Sequence, residues 1–224
     1  MKIYSVSNPL SDASIFASSS EGAETALRRA ELLVNGKNQT VSGVKTWHIS
    51  VRTSPTRSLD FRHEYVLAFH EAQDYQADFW SLKTGTPLDA KNLTKAELEH
   101  GRKELYVQGY KWEVPVRTFF STPFTANEWH NFGIYLDYDS NKIQIYYSKA
   151  NLSLEAVTPL ISTNLSGKAP TTLGETHFGL QKKPTGTNIT QYLYEGVQEK
   201  GINEGLILGG IWQEDSKMNG CISL

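Results

Sequence analysis

Two glutamates sit in runs whose composition is that of half-buried strands. Glu31 lies in Leu27-Arg28-Arg29-Ala30-Glu31-Leu32-Leu33-Val34, and Glu71 closes Tyr65-Val66-Leu67-Ala68-Phe69-His70-Glu71. Alternate side chains on a strand share a face. Arg29 and Glu31 are therefore expected beside Leu27 and Leu33, and Glu71 beside Tyr65, Leu67 and Phe69. A carboxylate in an apolar run costs free energy unless it has a partner, which marks both glutamates as candidates for chemistry. Two carboxylates with an arginine beside one of them are the minimal set for acid/base hydrolysis of a glycosidic bond. The structural alternatives are an ion pair of Glu31 with Arg29, and a strand-end Glu71 turned to water with Asp74 and Asp78 competing for its role.

Other chemistries find less support. The six histidines, His48, His63, His70, His100, His130 and His177, show no H-x-x-x-H or H-E-x-x-H spacing, so no metal and no other cofactor is expected. His177, two residues before Gly179, reads either as a satisfied core histidine or as a hydrogen-bond donor lining a cleft. No serine occupies a G-x-S-x-G elbow, and Cys221 has no base near it in sequence. Gly209-Gly210, inside Leu206–Trp212, reads as a bulge or a close backbone approach, not a phosphate loop.

The elements that must position the glutamates are strands. Met1–Val6, Leu27–Val34, Val44–Val51, Phe61–Glu71, His177–Leu180 and Leu206–Trp212 carry strand composition. In Val44–Val51, Trp47, Ile49 and Val51 fall on one face. Trp129–Ser148 reads as a hairpin: Phe132, Ile134 and Leu136 lead into Asp139-Ser140-Asn141-Lys142, and Ile143, Ile145 and Tyr147 lead out. Between Asp89 and Tyr106 the pattern breaks. There Thr94 and Glu97 have capping-box spacing ahead of a stop at Gly101, which predicts one short inserted helix. Lys182–Asn188 and Glu195–Gly205 read as long loops. Short strands separated by polar turns predict an all-β fold, a sandwich or jelly roll of antiparallel sheets.

Composition bounds the rest. The 224 residues suit one domain with a sizeable core. A net charge of −2 gives no electrostatic case for nucleic acid or an anionic membrane as partner, and no apolar run is long enough to span a bilayer. One cysteine permits no internal disulfide, and Met1–Pro9 lacks the apolar segment of a secretion signal. Against this stand five N-x-Ser/Thr sequons, at Asn38, Asn92, Asn151, Asn164 and Asn188, where composition alone gives about two. That excess predicts an extracellular, glycosylated protein whose leader lies outside this sequence. Aromatic residues reach 11% of the chain, and most of these rings belong in a β core.

Several stretches resemble the catalytic domain of glycoside hydrolase family 131. They are Leu27–Leu32, His63–Glu71, Asp78-Phe79-Trp80-Ser81-Leu82-Lys83-Thr84-Gly85, Glu128–Phe132, and the segment from His177 to Asp215. The resemblance implies a secreted fungal β-glucanase with a jelly-roll fold, acting on β-1,3/1,6 or β-1,4 linkages of a β-glucan. It places the catalytic pair on Glu31 and Glu71 and the supporting arginine and histidine on Arg29 and His177. It also implies a single catalytic domain over 1–224 that lacks N-terminal strands found in the family. Arg29 should keep Glu31 ionised as base or nucleophile, leaving Glu71 as acid. Trp80, Trp112 and Trp212 are candidate rings for sugar stacking, Trp80 first, and the chain is expected to act as a monomer. A lectin-like binding domain and a polysaccharide lyase are the alternative readings; the lyase lacks a Gln-x-His companion.

Overall fold

The computed structural model describes residues 6–12, 14, 17–18, 22–23, 25–34, 41–72, 78–109, 113, 115–163 and 173–216. In chain order the strands are β1 (Val6–Ser11), β2 (Ala17–Ser18), β3 (Gly22–Ala23), β4 (Arg28–Val34), β5 (Val44–Thr53), β6 (Glu64–Ala72) and β7 (Asp78–Gly85). Helix α1 (Lys95–His100) follows. Then come β8 (Glu104–Gln108), β9 (Thr118–Pro123), β10 (His130–Asp137), β11 (Lys142–Lys149), β12 (Glu155–Ala156), β13 (Ile161–Ser162), β14 (Leu173–Lys182) and β15 (Asn203–Asp215).

One sheet runs β1-β15-β5-β10-β11-β12, with β13 also on β11, and the other runs β4-β14-β6-β7-β8-β9. All pairings are antiparallel. The two sheets close over one core, as a jelly-roll sandwich requires. Trp47, Ile49, Val51, Phe132, Ile134, Ile143 and Ile145 enter it from the first sheet, and Trp80, Leu82, Leu105, Val107, Phe178 and Leu180 from the second. The alternation expected of Val44–Val51 and of the β10–β11 hairpin is what makes this possible.

Helix α1 buries none of its residues, so its ends must hold it. The Thr94 side chain accepts from the Glu97 N–H at 3.2 Å, and the Glu97 carboxylate accepts from the Thr94 N–H at 2.8 Å. Gly101 ends it at φ 70°, a conformation that favours glycine. The polar insert is shorter than expected, because Glu104–Gln108 is β8 with Leu105 and Val107 in the core. The Gly209-Gly210 bulge is present: pairing of β15 with β5 shifts register between Gly209 and Trp212, and Gly210 has φ 59°.

A second bulge corrects the expected face of β6. Its pairing with β7 shifts between Val66 and Ala68, so Leu67 is an extra residue and the alternation changes phase there. Tyr65, Leu67 and Ala68 lie in the core. Phe69 and Glu71 instead share the outer face of the sheet with His177, because His177 is paired directly with Phe69.

Candidate active site

Three adjacent strands carry the site. On β4, Glu31 is paired with Gly179 of β14, and His177 of β14 is paired with Phe69 of β6, two residues before Glu71. Glu31, His177 and Glu71 therefore converge on the outer face. The His177 Nε2–H donates to Glu71 Oε1 at 2.7 Å, and its Nδ1 lies 3.4 Å from Glu31 Oε2. Arg29 Nη1 is 3.9 Å from the same Glu31 oxygen. Beneath the imidazole, the Phe69 ring is stacked at 4.3 Å and 16°. Glu31 Oε1 is buried and makes no hydrogen bond among the described residues.

The electrostatics follow from this packing. Burial draws His177 toward the neutral form, but hydrogen bonds to Glu31 and Glu71 and the charge on both carboxylates outweigh it. Its pKa rises from 6.5 to about 9. At neutral pH the ring is an imidazolium with N–H groups directed at two carboxylates. Arg29 supplies the second positive charge, so the four side chains balance.

Gly179 lets the strands come close enough. A Cβ there would lie 2.3 Å from the Ala30 carbonyl oxygen and 2.7 Å from the Glu31 Cα. Any side chain at 179 thus pushes against the backbone that carries Glu31. Phe69 and Gly179 are site residues that the sequence reading did not single out. The pairing of Gly179 with Glu31 needs the register, which no local pattern reveals.

The tryptophans do not gather here. Trp80, the first choice for sugar stacking, is fully buried in the core, because its position on β7 points between the sheets. Trp212 stacks on His48 at 3.9 Å and 2°, on the outer face of the opposite sheet, and Trp112 lies outside the described residues. Asp74 is also outside them, and Asp78 opens β7 opposite Glu71. Among the described residues, one group could hold a metal: Asp60, His63 and Glu199 bring ligand atoms within 4.8 Å of one another. It sits at the far end of β6 from Glu71, and Arg62 and Lys182 already pair with its carboxylates.

Residues 5–219 match the family model of the glycoside hydrolase 131 catalytic N-terminal domain. The chain belongs to that family. It is a glycoside hydrolase, in place of the lectin-like and lyase readings. Among solved structures, a glycoside hydrolase 131 β-glucanase catalytic domain from Podospora anserina is similar, with TM-score 0.69 and 17% identity over 96% of this chain and 73% of that one. The catalytic domain of a family 131 protein from Coprinopsis cinerea aligns with TM-score 0.63 and 17% identity, over 96% of this chain and 71% of that one. At such identities the likeness is one of fold. No curated protein sequence matches.

Two outcomes follow for this glycoside hydrolase. The folded pKa of His177 exceeds its ordinary 6.5, so the stability it contributes is complete below pH 6.5 and is lost as pH rises through about 9. Chemical unfolding across that interval should show wild type losing stability relative to His177→Gln; parallel curves would remove the bridge. Gly179→Ala should lower kcat at least tenfold by displacing Glu31, against a stability loss of about 1–3 kcal/mol for the crowding. Unchanged kcat in a folded Gly179→Ala protein would show that the close approach does not set the site.

Proposed function

We propose that this glycoside hydrolase cleaves β-glucan, with Glu71 as general acid and Glu31 as general base. The observation that carries the proposal is His177 hydrogen-bonded to Glu71 and within 3.4 Å of Glu31. It joins two carboxylates that lie 40 residues apart in sequence. The β-glucanase activity named for the Podospora anserina domain supports the choice of substrate.

In the resting site both carboxylates face an imidazolium. A sugar entering the site expels water and weakens the charged form of Glu71. The proton then has a short path, from His177 Nε2 to Glu71 Oε1 across 2.7 Å. Protonated Glu71 gives that proton to the glycosidic oxygen as the bond to the anomeric carbon breaks. Glu31, beside Arg29, takes a proton from water, and the hydroxyl oxygen bonds to the anomeric carbon. Glu31 then releases its proton to solvent and His177 regains one.

The spacing favours inversion. With bonds of 2.7 and 3.4 Å on opposite edges of one ring, the two carboxylate oxygens are separated by roughly 7–8 Å, within the ~6.5–9.5 Å that leaves room for a water between acid and base. The sequons at Asn92, Asn151 and Asn188 are exposed, which fits an extracellular enzyme acting on a polymer.

Glu31→Gln and Glu71→Gln should each lower kcat on β-glucan by about 10²–10⁴-fold without loss of fold. Proton NMR of wild-type hydrolysis should show the α-anomer appearing first. Wild-type rates in both variants would overturn the pair, and an initial β-anomer would replace inversion by retention through a covalent intermediate.

A further inference from the structure

The outer face of β14 and β6 holds His177 and Glu71; the inner face, back to back with them, holds a second pair. His70 lies between Phe69 and Glu71, and its Nδ1 is 2.7 Å from the hydroxyl oxygen of Thr176, the residue before His177. Both side chains are buried, His70 at 1% and Thr176 at 3% exposure. They are direct cross-strand partners, one step from the His177–Phe69 pair.

This short stretch of ladder is bracketed by irregularities. Pairing of β14 with β6 shifts between Leu173 and Thr176 and again between Phe178 and Gln181, and pairing of β6 with β7 shifts between His70 and Glu71. Three consecutive pairs, Thr176–His70, His177–Phe69 and Phe178–Ala68, remain regular. A one-residue slip would send His177 and Glu71 to opposite faces. Apolar side chains such as Ala68 and Phe178 on the buried inner face set the register between the bulges, and a buried cross-strand side-chain bond adds a directional constraint to it.

His70 also lines a partly open cleft between the sheets, together with Trp80, Tyr138 and Asn141. His70 Nε2, Trp80 Nε1 and Asn141 Oδ1 are buried, and none bonds to another described residue. Burial and the positive charge of His177 hold the His70 pKa down at about 3, so it adds no competing charge behind the site.

We propose that His70 and Thr176 are positioning residues for hydrolysis: their buried hydrogen bond fixes the register in which His177 meets Glu71. The inference rests on the assignment of Glu71 and His177 above. Its test is steady-state kinetics on β-glucan for Thr176→Val, which keeps the shape and removes the hydroxyl, and Thr176→Ser, which restores the hydroxyl on a smaller side chain. Thr176→Val should lose about 10- to 100-fold in kcat with KM within about twofold of wild type, and Thr176→Ser should recover most of the loss. If Thr176→Val fails to fold, Thr176→Cys, whose thiol bonds weakly, takes its place with the same expectations. Glu71→Gln in the same assay separates the two readings. An active Glu71→Gln protein overturns the site itself. An inactive Glu71→Gln beside a Thr176→Val with wild-type kcat, or a loss that serine does not rescue, overturns the pin.

Discussion

Two half-buried carboxylates facing one imidazolium is the interaction on which the candidate site depends. Each charge alone, withdrawn from water on a sheet face, would cost several kcal/mol. Together, Glu31, Glu71, His177 and Arg29 cancel in charge, and the Nε2–H···Oε1 bond of 2.7 Å directs the cancellation. In the proposed reaction the arrangement is useful because it stays incomplete. Glu31 keeps one buried oxygen with no hydrogen bond among the described residues. A group able to give or take a proton there meets a carboxylate already desolvated.

Holding four such side chains within a few ångströms constrains three strands at once. Gly179 allows β4 to approach β14, since a Cβ would collide with the Ala30 carbonyl. The Leu67 bulge turns Phe69 and Glu71 outward while Tyr65 stays in the core. Phe69 then backs the His177 ring, so the imidazole is confined by a neutral face on one side and by anions at both nitrogens. The inner face of the same strands is buried, with Phe178 and Leu180 in the hydrophobic core beside the hydrogen-bonded His70 and Thr176. One set of strands thus supplies a rigid apolar layer below and a charged constellation above, the division of labour that a preorganised site needs.

How much of this was legible depended on the period of each element. Strands with one polar face, such as Val44–Val51 and the β10–β11 hairpin, advertise themselves by alternation, and so does the capping box of α1. Strand β7 does not: Phe79, Trp80, Ser81, Leu82 and Thr84 are all buried, so both faces are covered and no alternation marks it. Trp80 gives no local sign of its burial for the same reason, since a buried ring and an exposed sugar platform look alike in one sequence. The glutamates stood out because acids inside apolar runs need a reason. His177 could not be told from a core histidine by its neighbours, and only the family resemblance singled it out. Glu71 falls beside Phe69, as its spacing predicts, but not beside Tyr65 and Leu67, because the bulge at Leu67 is a tertiary event with no local marker.

The most direct test of the central interaction is an NMR titration of the His177 imidazole in the native chain and in Glu71→Gln. The account requires the native ring to lose its proton near pH 9, well above its ordinary 6.5, and the variant's ring to lose it at clearly lower pH. A native midpoint at 6.5 or below, or one that Glu71→Gln leaves unmoved, would mean that His177 does not join the two carboxylates.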